Sequence, residues 1–540
     1  MRHDWNSLLT RTPQPEFLFR EFDQDYFPNA DSLVSYLRHF DVQHQLNIRY
    51  NTTVNLVDRH TEGRTNLDFV LSITEPPIKG SSEPQYAAVS CTHLIVATGM
   101  AVPSQVNLDP DNVITSYSDM SLDLNLYENK EVLVIGRGNA GLETAQHLYT
   151  VTARTIIAGR QRVKLSWETH YVGDIRGVNN EILDSYMLKS MDIASGQIDA
   201  GQVLFKLNSE TKKIHVFGNK TDDKDEFTEF GPVDIVIDCT GWNFDDTIYS
   251  KDIHIHMQSR RYPKLTSAFE SVSEKGIYFA GALAHGRDWK KSSGGFLHGF
   301  RYTARALQRQ LEVLHHGSAW AATTTVINQD VWSSESCPDI HEVARKLVDK
   351  LMERINTSSG PYQMFSFLMD VVVLGSLQEK LDNPMYMEEV PVDWIPNLLD
   401  KLLDRSVVAS TSAAAAAAAA DTFYLTLGFE YGLNFSGPGK DVFNPSLFGP
   451  PDFDHPDGPG AKSHFLHPVV RLHHLPNGGL DKDQCAEESE KERPRSRCFE
   501  QSVIGTHHLV EEVKIEWTNK EDHWDPLYTF VEGILMNSMK

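Results

Sequence analysis

The amino-acid sequence predicts an α/β fold in which one strand–turn–helix unit is inserted into a second α/β domain, followed by a helical segment and a small β domain. Three observations lead to this prediction. A short apolar strand runs directly into a glycine-rich turn that begins at Gly136. Two further apolar strands lie before and after that turn and end at Gly99 and Gly241. Beyond about residue 316 the pattern changes to amphipathic helices and then to short strands between Gly- and Pro-rich loops.

The composition is that of a folded globular protein. The chain has 540 residues, of which 40% are apolar and 23% charged, and this length suggests about three or four domains. The 74 acidic and 50 basic residues give a net charge of −24, and no basic cluster indicates nucleic-acid binding. No apolar run is as long as a membrane span, and the first residues lack the apolar core of a signal peptide. Taken as written, the sequence predicts a cytosolic chain.

The five cysteines do not indicate redox or zinc chemistry. None is part of a C-x-x-C motif, so neither a dithiol–disulfide pair nor a zinc knuckle is expected. Cys91 and Cys239 lie in apolar strands, where a buried thiol acts as a small hydrophobic group. Cys485 and Cys498 lie in a polar loop and could pair with each other.

The turn at residues 136–141 has the spacing of a dinucleotide-binding motif. Gly136, Gly138 and Gly141 follow the apolar strand Val132–Ile135 as G-x-G-x-x-G. The first glycine permits a tight turn, the second lets the backbone approach a pyrophosphate, and the third lets the helix pack closely on the strand. The helix that opens at Asn139 presents N–H groups to the phosphates. The strand before the motif and the helix after it support a nucleotide site of the Rossmann type.

The next strand, RTIIAGR, ends at Arg160, which lies 24 positions beyond Gly136. NAD-binding folds carry an acidic residue here for the ribose 2′-hydroxyl, whereas a basic residue accommodates a 2′-phosphate. Arg160, Arg162 and Lys164 therefore favour NADP. A solvated basic surface loop is the alternative.

The strands that end at Gly99 (HLIVATG) and Gly241 (DIVIDCTGW) bracket this unit. A small residue followed by glycine lets the backbone lie against a planar or diphosphate ligand, although either strand alone would be taken as an ordinary strand-to-loop turn. Gly99 comes 37 positions before Gly136, and Gly241 follows the nucleotide segment. Together they predict a nucleotide domain inserted into another domain.

A further ligand-lining segment is predicted between residues 276 and 314. A short strand reaches Gly281, and Ser292, Ser293, Gly294 and Gly295 lead into a long helix. A helix N-terminus presented by two glycines can direct its positive end at an electron-rich ring such as a reduced flavin. A plain capped helix is the alternative.

The N-terminal flank is predicted from its local patterns. We expect a helix over residues 31–45 with Asp31 or Ser32 as its N-cap, followed by a strand over Leu46–Tyr50. The alternating segments TTVNLVDR and DFVLSITE predict a hairpin or meander.

The C-terminal part is predicted to be helical and then β-rich. Helices are expected at HEVARKLVDKLMERI and VDWIPNLLDKLLDR, before the alanine run Ala413–Ala420. Strands are expected at FYLTLGFEYG, HFLHPVVRLHH and LVEEVKIEW, with a disordered loop at 481–497. Paired histidines occur at residues 315–316, 473–474 and 507–508, and we expect them to be solvated because their spacing is not that of metal ligands.

The order of these motifs resembles that of the two-dinucleotide-domain flavoproteins, which include the flavin monooxygenases. More narrowly, four stretches are similar to a family of endoplasmic-reticulum flavoproteins associated with degradation: RHDWNSLL, VLVIGRGNAGLETA, SWETHYVGDIR and HGRDWKKSSGGFLHGFRYT. The resemblance spans most of the chain. It implies an FAD protein of the lumen whose partners are components of the machinery that clears misfolded glycoproteins.

The resemblance implies an oxidoreductase in which NADPH reduces FAD by hydride transfer. It implies that one group of residues binds NADPH and that a group of glycines lines the flavin. The NADPH group is Gly136, Gly138, Asn139, Gly141, Arg160 and Arg162, and the flavin group is Gly99, Gly241, Gly281, Gly294 and Gly295. No residue is predicted for acid–base catalysis.

Three features depart from the family pattern. The first βαβ unit, which carries the glycine motif for FAD, is expected before Met1, and the C-terminal ILMNSMK is not a KDEL-like retention tetrapeptide. These two departures predict a truncated isoform or an incomplete gene model, and the missing unit predicts a form that binds FAD poorly and can be inactive. The F-x-G-x-x-x-H motif of flavin monooxygenases is replaced by SYSDMSLDLNLYENK, which makes an NADPH monooxygenase the second choice. A non-catalytic adaptor that retains the fold is a third hypothesis.

The predicted organisation has five segments. They are an FAD-binding first part (1–114), an NAD(P)-binding domain (115–243), an FAD-binding return segment (244–315), a helical connector (316–420) and a small β-rich domain (421–540). N-x-[ST] sequons occur at Asn51, Asn219, Asn356 and Asn434, and the last three lie in stretches that read as accessible loops. Glycosylation is expected of a form that enters the secretory pathway.

Overall fold

The computed structural model of the chain describes residues 18–25, 28–59, 68–77, 82–106, 112–160, 163–186, 195–197, 203–218, 231–323, 340–376, 385–402, 422–432, 463, 465–475, 502–510 and 516–538. Several predictions fall outside these residues. They concern Arg162, the pairing of Cys485 with Cys498, the alanine run and the loop at 481–497. No helix in the described part of the chain is long and apolar enough to cross a membrane.

The N-terminal part consists of one helix and an antiparallel meander. Helix α1 (Ala30–His44) confirms the predicted helix. Its N-cap is Asn29, because this residue has an extended backbone directly before the first turn and accepts a hydrogen bond from the Asp31 N–H. The predicted caps, Asp31 and Ser32, are therefore wrong. The meander is confirmed, with strands β1 (Thr53–Arg59), β2 (Phe69–Glu75) and β3 (Gln85–Cys91).

The strand predicted over Leu46–Tyr50 is wrong. The side chains of this segment are exposed, and its backbone joins no sheet of the described residues. Apolar residues at Leu46, Ile48 and Tyr50 gave the alternation, but alternation alone forms no strand where a partner strand is lacking.

A five-stranded parallel sheet carries the glycine-rich turn. Its order is β6–β12–β7–β8–β9, so the strand that precedes the turn lies at the centre. Val132, Leu133 and Val134 of this strand are fully buried, as expected for a parallel strand covered on both faces. Helix α2 (Asn139–Leu148) follows directly, as predicted. The strands are β6 (Ile114–Ser116), β7 (Glu131–Ile135), β8 (Arg154–Gly159), β9 (Ser195–Gln197) and β12 (Ile235–Asp238).

Smaller elements complete this unit. Strands β10 and β11 form an antiparallel hairpin, and two short helices follow β8. The elements are β10 (Val203–Leu207), β11 (Ile214–Gly218), α3 (Ser166–Thr169) and α4 (Glu181–Ser185).

The strands on either side of the unit pair with each other. Strand β5 (Met100–Pro103) is antiparallel to β13 (Trp242–Phe244), and β4 (Leu94–Val96) is parallel to β14 (Ile277–Phe279). The chain therefore leaves one α/β domain, forms the nucleotide-type unit and returns to the first domain. This confirms the predicted inserted α/β fold. The long helix predicted after β14 is α5 (Leu297–His315).

A six-stranded antiparallel sheet forms the C-terminal part, with helices α6 and α9 packed on it. Its strand order is β15–β17–β16–β18–β19–β20. The strands are β15 (Ala322–Thr323), β16 (Leu368–Ser376), β17 (Met385–Pro391), β18 (Thr422–Glu430), β19 (His467–Leu475) and β20 (Val503–His508). The helices are α6 (Ile340–Thr357), α7 (Gly360–Gln363), α8 (Ile395–Leu402) and α9 (Asp525–Ser538).

The predicted division of this part into a helical connector (316–420) and a β domain (421–540) is wrong. Strands β15, β16 and β17 belong to the connector, yet β16 pairs along its length with β18 of the β domain. The long apolar run of β16 gave no alternation because both its faces are buried. The strand predicted at LVEEVKIEW is also wrong in its described residues, since 509–510 and 516–517 are not in a strand and β20 precedes them.

Polar contacts join helices α5 and α6 to this sheet. Arg354 of α6 donates from Nε to Asp370 of β16 at 2.7 Å, and the Tyr386 hydroxyl donates to the same carboxylate at 2.9 Å. Arg309 of α5 donates to the Glu388 backbone carbonyl at 2.7 Å. The first α/β domain and the C-terminal sheet therefore pack together along α5.

The prediction that the paired histidines are solvated is wrong for His473 of the C-terminal sheet. His473 is fully buried and its ring nitrogens lie 2.9 Å from the Thr426 hydroxyl and 2.8 Å from the Ser502 hydroxyl. His467 is also fully buried, and its Nε2 lies 2.9 Å from Nδ1 of His508. The described residues hold no group of three or more His, Cys, Asp or Glu side chains placed to bind a metal ion.

The His467–His508 pair makes this sheet sensitive to acid. Burial lowers the pKa of His508 to about 3, with His467 and Arg471 adding to the effect, and burial lowers the pKa of His507 to about 4. An unfolded histidine has a pKa of about 6.5, so the unfolded chain takes up protons that the folded sheet refuses as the pH falls below that value. The stability contributed by neutral His507 and His508 is complete above about pH 6.5 and is lost as the pH falls towards their folded pKa values of about 4 and about 3.

We expect the free energy of opening of β19 and β20 to fall by about 2–3 kcal/mol for each of His507 and His508 between pH 7 and pH 4.5. Hydrogen exchange of peptides from residues 465–475, corrected for intrinsic exchange, measures it. His508→Gln keeps an N–H donor for His467 and does not titrate, so its loss should be smaller. An equal loss in the parent chain and in this variant would show that other groups cause the acid sensitivity.

Candidate functional site

The glycine-rich turn lies where three elements meet, between β7, α2 and the end of β12. The Gly136 N–H donates to the Ala158 carbonyl at 2.7 Å, and the Cys239 N–H donates to the Ile135 carbonyl at 2.7 Å. A Cβ on Gly136 would overlap the Cys239 carbonyl oxygen, and its φ of +125° is itself unfavourable for other residues. The first glycine is therefore required by packing and by backbone conformation together.

The other two glycines of the motif have different surroundings. A Cβ on Gly141 would overlap the Gly136 carbonyl oxygen, which shows how closely α2 approaches the turn. A Cβ on Gly138 would have no described atom within 4 Å. Gly138 is also the N-cap of α2, and no side chain caps the helix there. The open side of the turn thus combines space with the N–H end of a helix dipole, which suits a diphosphate.

Asn139 holds a neighbouring loop with its side chain. Its Nδ2 donates to the carbonyls of Gly173 at 3.3 Å and Asp174 at 2.9 Å. Its Oδ1 accepts from the Arg176 N–H and from the Asn179 amide, both at 2.9 Å. Any contact of Asn139 with a nucleotide is therefore through its backbone N–H, whereas its side chain positions residues 173–179. The sequence pattern gave no signal for this second role.

Arg160 directly follows β8 and is exposed at the carboxyl end of the strand. That end adjoins the glycine turn, since a Cβ on Gly159 would lie 2.9 Å from Cγ of Arg137. Lys164 is half-buried nearby, and Arg162 lies outside the described residues. The position of Arg160 is the one at which dinucleotide-binding sheets bind the adenosine ribose.

Gly99 and Gly281, which follow the parallel strands β4 and β14, lie at one edge. The Ala280 N–H donates to the Val96 carbonyl at 2.9 Å, which brings the ends of β4 and β14 together. Gly99 and Gly281 have φ of +70° and +63°, and a Cβ on either would have no described atom within 4 Å. Both leave half-buried backbone with open space beside it, which a flat ligand can approach.

Gly241 adjoins a small depression beside the glycine turn. Its empty volume is about 280 Å³, and its lining residues are Pro103, Ser116, Tyr117, Ala140, Asp238, Cys239, Gly241 and Trp242. Burial raises the pKa of Asp238 and raises that of the Cys239 thiol to about 12. Cys239 is therefore a neutral, buried thiol at neutral pH. A Cβ on Gly241, whose φ is +102°, would overlap the Arg261 guanidinium.

Gly294 and Gly295 lie against a buried polar network. A Cβ on Gly294 would be 2.5 Å from Oδ1 of Asp288, and one on Gly295 would be 2.5 Å from the His285 ring. His285 lies between Asp288, at 2.8 Å, and the Tyr171 hydroxyl, at 2.9 Å. Tyr171 and His285 belong to SWETHYVGDIR and HGRDWKKSSGG, which carried the family resemblance without any assigned role. Their contact could not be read from residues 114 positions apart.

The described residues fit a nicotinamide dinucleotide at the first turn and a flavin at the second edge. The fit to a nicotinamide dinucleotide rests on the open Gly138 and the uncapped start of α2. The fit to a flavin rests on the open backbone at Gly99 and Gly281.

The comparison with known families agrees with this geometry. Residues 3–281 match the pyridine nucleotide-disulphide oxidoreductase family. The chain belongs to the pyridine nucleotide-disulphide oxidoreductase family. This confirms the predicted flavoprotein resemblance and makes the chain a flavoprotein oxidoreductase by family, with a flavin and a nicotinamide dinucleotide as the implied cofactors.

Two vertebrate relatives match this chain along its whole length. FAD-dependent oxidoreductase domain-containing protein 2 of Mus musculus is 33% identical over 563 residues, which cover 100% of this chain and 75% of the relative. The protein of the same name in Danio rerio is 29% identical over 583 residues, again covering 100% of this chain and 75% of the relative. The narrower predicted resemblance is therefore confirmed.

Solved flavoprotein structures are similar over part of the chain. Bacillithiol Disulfide Reductase Bdr from Staphylococcus aureus is 14% identical with a TM-score of 0.42, and covers 58% of this chain and 84% of that one. A flavin-containing monooxygenase from Stenotrophomonas maltophilia is 14% identical with a TM-score of 0.39, and covers 58% and 85%.

The different surroundings of Gly136 and Gly138 give a prediction for a matched pair of variants. Gly136→Ala should destabilise the chain by several kcal/mol, because of its positive φ and the overlap with Cys239. Gly138→Ala should change the thermal midpoint by no more than about 2 °C, because it has φ of −92° and open space. Thermal unfolding followed by circular dichroism measures both. Equal losses of stability would contradict the assignment of Gly138 to the ligand side of the turn.

Proposed function

We propose that the chain is an FAD-dependent oxidoreductase that uses NADPH and acts in the degradation of misfolded glycoproteins in the endoplasmic reticulum. The observation that carries this proposal is the joint one of a match along the whole chain to FAD-dependent oxidoreductase domain-containing protein 2 and an intact, open dinucleotide turn at Gly136–Gly141. Its proposed partners are components of the luminal machinery that handles such glycoproteins.

The proposed roles follow from where each residue lies. The backbone at Gly138 and the first N–H groups of α2 hold the pyrophosphate of NADPH, while Gly136 and Gly141 keep the turn compact. Arg160 binds the 2′-phosphate. Bound NADPH would supply a hydride and bound FAD would accept it, chemistry that belongs to the cofactors. The protein contributes position and exclusion of water.

The flavin would lie along the edge formed by Gly99 and Gly281. Gly241, Gly294 and Gly295 complete the proposed lining, and each is backed by a polar side chain of the protein. Those side chains are Arg261, Asp288 and His285. Arg261 is a cation, and Asp288 and His285 form a buried hydrogen-bonded pair. All three are assigned to holding the glycine backbone in place, not to reacting with the flavin.

Arg160 provides the test of cofactor choice. Arg160→Glu should weaken NADP⁺ binding about 10-fold or more and narrow or invert the preference over NAD⁺, because it replaces an attraction to the 2′-phosphate by a repulsion. Isothermal titration calorimetry of the full chain with each nucleotide measures both affinities. Lys206→Glu makes the same change of charge at an exposed position on β10. It is the control and should leave both affinities unchanged. Equal affinities of the parent chain for NADP⁺ and NAD⁺ would contradict the proposed role.

A luminal location makes a prediction about the sequons. Asn51 is exposed in a turn with φ of +53°. Asn356 was predicted to be accessible, which is wrong: its amide donates to the carbonyls of Met352 at 2.9 Å and Trp517 at 3.0 Å. It also accepts from the Trp517 N–H at 3.0 Å. Asn219 and Asn434 lie outside the described residues.

In a form of the chain that enters the secretory pathway, Asn51 should carry an N-glycan and Asn356 should not. Peptide mapping by mass spectrometry, with and without an endoglycosidase, decides each site separately. Asn51→Gln removes the expected glycan, and Asn356→Gln should leave the glycan pattern unchanged. A glycan on Asn356, or none on Asn51, would contradict this prediction.

A further inference from the structure

A single hydrogen-bonded chain runs from the nucleotide turn to the start of helix α5. Its first link is Asn139, the first residue of α2, whose side chain holds the loop 173–179 by four hydrogen bonds. The loop folds back over Tyr171, because a side chain on Gly173 would overlap the Tyr171 ring. The position of Tyr171 is thus fixed from the turn.

Tyr171 reaches out of the inserted unit to His285, which belongs to the return segment. The hydroxyl lies 2.9 Å from Nε2 of His285, and the two rings are nearly parallel, with 6° between their planes. Which of the two groups donates this bond is decided by the partner of the other ring nitrogen of His285.

His285 passes the chain on to the segment that precedes α5. Its Nδ1–H donates to Asp288 at 2.8 Å, which leaves Nε2 to accept from Tyr171. The Asp288 carboxylate also accepts from the Ser292 hydroxyl at 2.6 Å and from the Gly294 N–H at 2.8 Å. We call residues 292–296 the α5 lead. Asp288 therefore fixes the backbone of the α5 lead.

Burial and backbone strain both indicate that these hydrogen bonds have a role beyond packing. Tyr171, His285 and Asp288 expose only 7%, 2% and 0% of their surface, so a broken link leaves a buried polar group unpaired. His170 and Lys290, which flank the tyrosine contact, have φ of +55° and +62°. Such left-handed conformations in residues other than glycine persist where the surrounding structure holds them, and they concentrate at functional sites.

We propose that Asn139, Tyr171, His285 and Asp288 form a relay that couples the nucleotide turn to the α5 lead, with Tyr171 and Asp288 as positioning residues. The relay brings a nucleotide-induced tightening of the first turn of α2 to Gly294 and Gly295, which the proposed function places beside the flavin. The proposal rests on that function for its biological meaning. The coupling between the two segments stands on these hydrogen bonds and on the packing of Gly173 against the Tyr171 ring.

The first test needs no cofactor. Hydrogen exchange of a peptide covering residues 292–296 is measured on the full chain for Asn139→Ala, Tyr171→Phe and the double variant. Asn139→Ala should speed exchange about 5-fold or more in the parent background, and should add less than about 2-fold once Tyr171→Phe has cut the relay. Glu143→Ala, which truncates an exposed side chain of α2 whose hydrogen bond is to Tyr117, is the control and should leave this peptide unchanged. If Tyr171→Phe does not fold, His285→Gln takes its place in the cycle.

The second test adds NADP⁺. In the parent chain it should slow exchange of the 292–296 peptide, and in Tyr171→Phe it should bind within about 3-fold of the parent affinity without slowing that exchange. Effects of Asn139→Ala and Tyr171→Phe that simply multiply, or slowing that survives Tyr171→Phe, would overturn the relay. Failure of NADP⁺ to bind the parent chain would count against the proposed cofactor instead, and the ligand-free cycle would still decide the relay.

Discussion

The absence of side chains at Gly136 and Gly141 is the constraint on which the rest of the structure depends. Strand β7, helix α2 and the end of β12 meet so closely that a Cβ on either glycine would overlap a backbone carbonyl oxygen, of Cys239 in one case and of Gly136 in the other. This contact sets the distance of α2 from the sheet and aims its N-terminus at the open side of the turn. It also ties β7 to β12, the strand after which the chain returns to its first domain.

Helix α5 extends the same arrangement to the remainder of the chain. At its start, the lead is fixed by Asp288, which the relay connects to the nucleotide turn. Further along, Arg309 and Arg305 bind Glu388 and Glu389 of β17, so that the C-terminal sheet is built onto the same helix. One helix therefore contacts both the proposed flavin edge and the C-terminal sheet. This explains why residues 316–420 could not form a separate connector.

The sequence predicted those features that are local. The turn at residues 136–141, the ends of β8 and β12, and α5 each follow from a motif or a period within a few residues, and all are present. The features it missed depend on distant partners. Strand β16 is defined by pairing with β18, about 50 residues away, and the Tyr171–His285 contact joins two segments separated by 114 positions. Leu46–Tyr50 shows the reverse, since a locally convincing alternation found no partner strand.

The most direct test of the proposed oxidoreductase function is the visible absorption of the flavin when the purified full chain is mixed with excess FAD and NADPH without oxygen. We expect the flavin band to bleach faster with the chain than with NADPH alone. The rate of bleaching should saturate with NADPH and should fall in Arg160→Glu. Bleaching no faster than in the absence of the chain would contradict the proposed oxidoreductase and favour a non-catalytic adaptor that retains the fold.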